Sequence, residues 1–386
     1  MNKEKNYLIL FFLLTSFLSI LFIYNNYIDL APVSFIEWLN NYNYGFIRRG
    51  LMGTLSFHIS SYFKIDIFIL TLIFQILFYL SFYYFSLKII LNIKYKNFIF
   101  FLFLLSPLGF IYPLSEAAAI GRQEIIFLSF TALFFYSLLK NKNVISQLIL
   151  FILIPVSLFT HEGMIVYFPY LILANLLFLK KNKVKLNSIF IIYAIFLILF
   201  FISNIEKNTI YIDSICQELS KGINFDECKK LNGITKILEY DSKALEQFIG
   251  MFQAVPVAKN IFFLIIGYAP LMLMINNSFK TDLIFIKLNP RLIFLICFIM
   301  TLPIFTTADW GRWIYINYIC SIFLIIFLID KKIVELNNSA VIRYFDNLSN
   351  KFKVLIIMIF CFSWNLKLLH TDDIGSLSLY RIKKKH

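Results

Sequence analysis

Four short segments hold the residues best suited to chemistry: Tyr44-Gly45-Phe46-Ile47-Arg48-Arg49-Gly50, the stretch Glu116 to Glu124, Thr160-His161-Glu162-Gly163, and Asp309-Trp310-Gly311-Arg312-Trp313. Each places ionisable groups and a glycine beside an apolar run. The adjacent pair Arg48 and Arg49 suits an anionic oxygen ligand, because a planar guanidinium bonds phosphate in bidentate fashion and stays charged at any physiological pH. Lipid headgroups, or the nearby Asp29 and Glu37, are the alternative partners. Arg122 stands between Glu116 and Glu124, either as a ligand-binding cation or in an internal salt bridge to one of them.

His161 and Glu162 are both placed to act as a general base toward a bound hydroxyl, or else form a capping turn that Gly163 eases. Asp309 and Arg312, three residues apart, are spaced to pair on one helix face as an oriented anion clamp. Trp310 and Trp313 beside them either stack on a sugar or mark a membrane interface. No His-Glu-x-x-His, cysteine pair or second nearby histidine completes a zinc set, so neither a metal nor a cofactor is expected.

Arginine is the informative cation here. Lysine outnumbers it 29 to 7, as an AT-rich genome would produce, yet Arg48, Arg49, Arg122 and Arg312 all fall in these four segments.

The elements that must position them are apolar. Of 386 residues, 60% are hydrophobic and only 15% charged, with a mean hydropathy of +0.78. Such a chain is solvated by lipid rather than water. Hydropathy predicts an all-α, polytopic transmembrane bundle of about eleven spans, near residues 7–24, 66–90, 98–115, 124–139, 144–159, 164–179, 187–204, 257–276, 291–307, 314–330 and 354–369. The first run is too long for a signal-peptide core and lacks a cleavage site, so it is expected to be a retained span.

The net charge of +14 does not point to nucleic acid, since the basic residues are scattered through short connections. The N-terminus and the alternate loops near 88–97, 140–143, 180–186, 277–291 and 331–353 hold 19 Lys and Arg, against five in the short loops opposite: Arg48, Arg49, Lys64, Arg122 and Arg312. The positive-inside rule then puts the N-terminus in the cytosol and the four segments on the periplasmic face of a bacterial inner membrane. An odd number of spans leaves the basic C-terminus outside, against that rule.

Residues 1–386 are expected to form a single integral membrane domain with two larger outer elements. In the first, 25–65, Met52, Leu55, Ile59, Tyr62 and Phe63 recur at helical spacing and predict an interfacial helix. In the second, 205–256, Ile234, Ile237, Leu238, Leu245, Phe248, Ile249 and Phe252 predict another. Cys216 and Cys228 lie in that second loop, where an oxidising compartment would let them pair as a disulfide.

An outward cavity lined by arginines and carboxylates, opening between lipid-embedded helices, suits a substrate that is part lipid, part diphosphate and part sugar. In size, span number, composition and outward arginines (Arg48, Arg49, Arg122 and Arg312), the chain resembles Wzy-type polymerases of O-antigen or other surface polysaccharides. That resemblance implies transfer of a growing glycan from undecaprenyl diphosphate onto a lipid-linked repeat unit, without a metal, with the bilayer and a chain-length regulator as partners. His161 and Glu162 would be catalytic. Arg48, Arg49, Arg122, Arg312, Glu116, Glu124, Asp309 and Trp310 would bind diphosphate or glycan. Members often carry arginine in two outer loops, whereas 205–256 has none. A rival is a GT-C-like transferase using a polyprenyl monophosphate sugar, with Asp29 or Glu37 as base. Transport of a lipid-linked glycan or an anion is a third possibility, disfavoured because the unusual charges gather on one side.

Overall fold

The computed structural model describes residues 2–28, 32–46, 49–93, 97–116, 119–181, 195, 197–199, 210–220, 225–226, 228, 257–275, 281–283, 286–288, 290–299, 301, 310–336 and 339–364. These residues form a helical protein. Among the described residues a single hairpin is made of two three-residue strands, β1 (Thr281–Leu283) and β2 (Ile286–Leu288), paired antiparallel with Thr281 opposite Leu288.

Among the described residues, five helical stretches are long and apolar enough to cross a membrane: Lys5–Ile28, Ile67–Leu91, Asn143–Thr160, Glu162–Leu179 and Trp310–Asp330. The first lies in α1 (Asn2–Ile28). It leads to the short α2 (Pro32–Leu39) and α3 (Leu51–Phe63), and then to α4 (Ile67–Leu91). α4 starts where it does because Asp66 caps it, its carboxylate accepting from the amides of Phe68 and Ile69 at 2.8 and 3.1 Å. Its 25 residues reach about 37 Å, enough for the hydrocarbon core.

The expected span at 98–115 is not continuous. α5 (Phe98–Leu104) ends before Ser106-Pro107, and a turn leads to the one-turn α6 (Tyr112–Ser115). Pro107 has no N–H to continue the helical ladder, and the Ser106 hydroxyl takes the Leu108 amide instead, at 3.3 Å.

α7 (Glu124–Leu139) and α8 (Asn143–Thr160) follow, then a 3-10 turn (Glu162–Tyr167) running into α9 (Phe168–Lys181). The expected span at 187–204 lies almost wholly outside the described residues. α10 (Ile210–Leu219), α11 (Val257–Met274), α12 (Pro290–Ile299), α13 (Trp310–Asp330), α14 (Ala340–Asn347) and α15 (Asn350–Phe362) complete the order.

α13 is the axis of the bundle, with every residue from Trp310 to Leu328 buried. A helix apolar all round has no face to give to water, and α13 packs on α7 and α9. One of its polar side chains, Asn317, is fully engaged inside the bundle. The Asn317 carbonyl oxygen accepts from the Tyr170 and Tyr268 hydroxyls at 2.8 and 2.6 Å, and its amide donates to Thr301 at 2.9 Å.

The connections sort to two ends, as the alternation of charge predicts. At one end Lys140 donates to Asn92, Lys331 to Asn141, and Lys353 to the Asp346 carbonyl. The four chemistry-bearing segments meet at the other.

Candidate functional site

Glu37 is the centre of one half of the site. It projects from α2, is buried, and its Oε1 accepts from Arg49 at 3.4 Å and from Arg122 at 2.5 Å. Arg49 also reaches Glu162, 3.4 Å from Nε. Burial acts to lower the Arg49 pKa, but Glu162 and Glu37 outweigh it and the net shift is upward, so the guanidinium stays charged. Arg49 adopts a left-handed backbone with φ of 62°. A non-glycine residue there costs about 1–3 kcal/mol, which its two carboxylate partners offset.

Glu124, the first residue of α7, is the centre of the other half. Its Oε1 accepts from Arg312 at 2.7 Å and lies 3.3 Å from His161 Nε2. The His161 contact is at ion-pair distance but off the line of a well-aligned hydrogen bond, and His161 Nδ1 has no hydrogen-bond partner. The ring is buried and stands edge-on to Trp313, centroids 5.6 Å apart, while the Arg312 guanidinium lies 4.4 Å from the Trp313 ring centroid. A buried charge needs a partner to be tolerated, and each of these arginines has one.

A two-way latch joins the halves. The Trp38 indole donates to the Gly121 carbonyl at 2.7 Å, and Gln75 from α4 donates to the same oxygen at 3.1 Å. The Gly121 backbone amide in turn donates to the Tyr79 hydroxyl at 3.2 Å, and the Gln123 side-chain amide to the Glu37 backbone carbonyl at 2.6 Å. Gly121 has φ of 77°, a conformation glycine adopts freely, and it turns the chain so that Arg122 faces Glu37.

The outer face of α2 is covered by α10. Phe35, Ile36 and Leu39 form a small core with Ile215, Leu219 and the disulfide-bonded pair Cys216 and Cys228. Glu218 of α10 also lies beside Tyr44, in the turn before Arg49. The disulfide is where the cysteine positions predict it. The helix bearing Cys216 was not legible from hydropathy, and the amphipathic helix expected at 234–252 lies outside the described residues.

Of the expected site residues, Arg49, Arg122, Glu124, His161, Glu162 and Arg312 come together. Arg48, Asp309 and the alternative base Asp29 lie outside the described residues. Arg122 meets Glu37, and Arg312 meets Glu124. Glu116 is buried at the C-terminal end of α6. Trp310 is buried at the start of α13, and the Trp313 face is occupied by Arg312, so neither indole presents the open sugar-stacking face expected of it. A helix, α3, is present where the interfacial one is expected. Met52 is buried there, whereas Leu55, Tyr62 and Phe63 are exposed on its surface.

Trp38, Gln75, Tyr79, Gln123 and Tyr315 were not singled out by sequence. Gln75 and Tyr79, one turn apart in an otherwise apolar span, carried a signal: an amide in a span needs a partner. Comparison with family models, curated proteins and solved structures found no match.

Proposed function

We propose that the chain is a membrane glycosyltransferase of the surface-polysaccharide polymerase type, joining undecaprenyl-diphosphate-linked repeat units. The observation that carries this reading is the convergence of three arginines, three glutamates and His161 from five distant segments at one end of an apolar bundle. Ionisable groups are costly near lipid and are retained where they meet a ligand or one another. In this reading the bundle has about eleven spans, sits in the bacterial inner membrane with its N-terminus in the cytosol, and turns the cluster to the periplasm.

The chemistry follows from the charges. An acceptor hydroxyl attacks the anomeric carbon, the bond from that carbon to the diphosphate oxygen breaks, and negative charge gathers on the leaving group. Arg49 and Arg122 stabilise it, since each guanidinium has five N–H donors and its carboxylate partners take only some of them. His161 takes the acceptor's proton while Glu124, beside Nε2, stabilises the imidazolium. Glu162 holds Arg49 rather than acting as the base.

The burial of Glu37 between two arginines favours a second reading, a GT-C-like transferase using a polyprenyl monophosphate sugar with Glu37 as base. Deleting the gene and resolving the surface glycan on a gel tests the first. Loss of the long ladder with one repeat unit retained supports it; an unchanged ladder refutes it. Supplying purified protein with diphosphate-linked repeat units or with a monophosphate-linked sugar separates the two readings by which donor is consumed.

A further inference from the structure

A narrow cavity between α4, α7 and α13 adjoins the ion cluster, lined by Tyr79, Arg122, Glu124, Arg312 and Tyr315 at its polar end and by residues such as Ala119 and Leu128 elsewhere. Among the buried polar atoms of this lining that have no hydrogen-bond partner are Glu124 Oε2 and the Tyr315 hydroxyl. Leaving such groups unsatisfied is unfavourable, so the site is built for something that is not protein.

Their chemistry defines it. A carboxylate oxygen can only accept, and a phenol can donate, so the missing group donates one hydrogen bond and accepts another. The charge on the cavity wall is already balanced, because Arg122 faces Glu37 and Arg312 faces Glu124. A phosphate here would confront the Glu124 carboxylate directly. The free space is about that of one water molecule, too little for a tetrahedral anion or a sugar ring.

We propose that this cavity is a subsite for a single neutral hydroxyl of a carbohydrate, bound between Glu124 and Tyr315, and that phosphate is held elsewhere, at the Arg49 side. The identity of the carbohydrate as a glycan repeat rests on the function proposed above. The test reads binding alone, so the two stand or fall separately.

The test is thermal unfolding of the full chain in detergent with simple methyl glycosides or with inorganic pyrophosphate. Glycosides are expected to stabilise the wild type. Tyr315→Phe should weaken glycoside binding about fivefold or more, the worth of one neutral hydrogen bond, and leave the effect of pyrophosphate unchanged. Ala119→Leu, which fills the cavity from its apolar side, should abolish the glycoside effect without touching a polar group. Three outcomes overturn the proposal: no glycoside stabilises the wild type, so that the cavity holds water only; both variants respond as the wild type does; or Tyr315→Phe removes the response to pyrophosphate instead. If the glycoside effect behaves as expected but the protein never lengthens a lipid-linked glycan, the subsite stands and the polymerase reading fails.

Discussion

Arg122 Nη1 lies 2.5 Å from Glu37 Oε1, a contact between residues 85 positions apart. It makes the turn before α7 and the short helix α2 a single charged unit, with Arg49 as its third member. Removing one side of such a buried pair exposes the other to an environment that cannot solvate it. Arg122→Met and Glu37→Gln are each expected to lower stability, and the double variant to lose less than their sum. A double-mutant cycle by unfolding in detergent should give a coupling of about 1–3 kcal/mol; a coupling near zero would show that the pair is not energetically linked.

Gly121→Ala places a side chain where φ is 77°. The strain of a left-handed alanine is about 1 kcal/mol or more, and relieving it would pull the Gly121 carbonyl from Trp38 and Gln75. Unfolding should shift to lower temperature, and tryptophan emission should report a changed Trp38 environment. A neutral substitution with unaltered emission would count against the latch.

Replacing both Cys216 and Cys228 with serine opens a short loop and puts two hydroxyls into an apolar core against α2. The disulfide is expected to contribute about 3 kcal/mol on the loop-entropy view. Hydrogen exchange is the direct readout. Amides of residues 35–46 should exchange faster in the double variant while those of α13 do not; equal protection would mean that α10 does not hold α2.

Asn317→Leu leaves the Tyr170 and Tyr268 hydroxyls without the acceptor they share. Inside a bilayer such interhelical bonds average about 0.6 kcal/mol each, so a loss of about 1 kcal/mol is expected. A stabilising effect in the same unfolding assay would show that the network is dispensable.

His161→Ala is expected to lower glycan elongation about 10²-fold or more, the range for removal of a general base, and to leave binding of the lipid-linked donor little changed. Turnover and donor KM measured together decide this. A rise in KM alone would assign His161 to binding.

Much of this protein was settled along the chain. Long apolar runs between charged connections are enough to declare membrane helices, because lipid admits few other structures. The alternation of basic loops foretold which segments share an end. Cys216 and Cys228 were the two cysteines outside the apolar spans, and they pair. Arginine standing out among lysines marked three of the residues at the centre of the site.

What the chain's order could not decide is partnership. Arg122 has Glu116 and Glu124 close by in sequence yet meets Glu37, and Glu124 is held by Arg312 from 188 positions away. A buried charge pairs with whatever the fold brings within reach, and that depends on how α2 lies against the turn at Gly121. The broken helix at Ser106-Pro107, the complete burial of α13 and the unfilled bonds of Glu124 and Tyr315 are likewise properties of packing, since hydropathy records only how apolar a residue is and not what surrounds it.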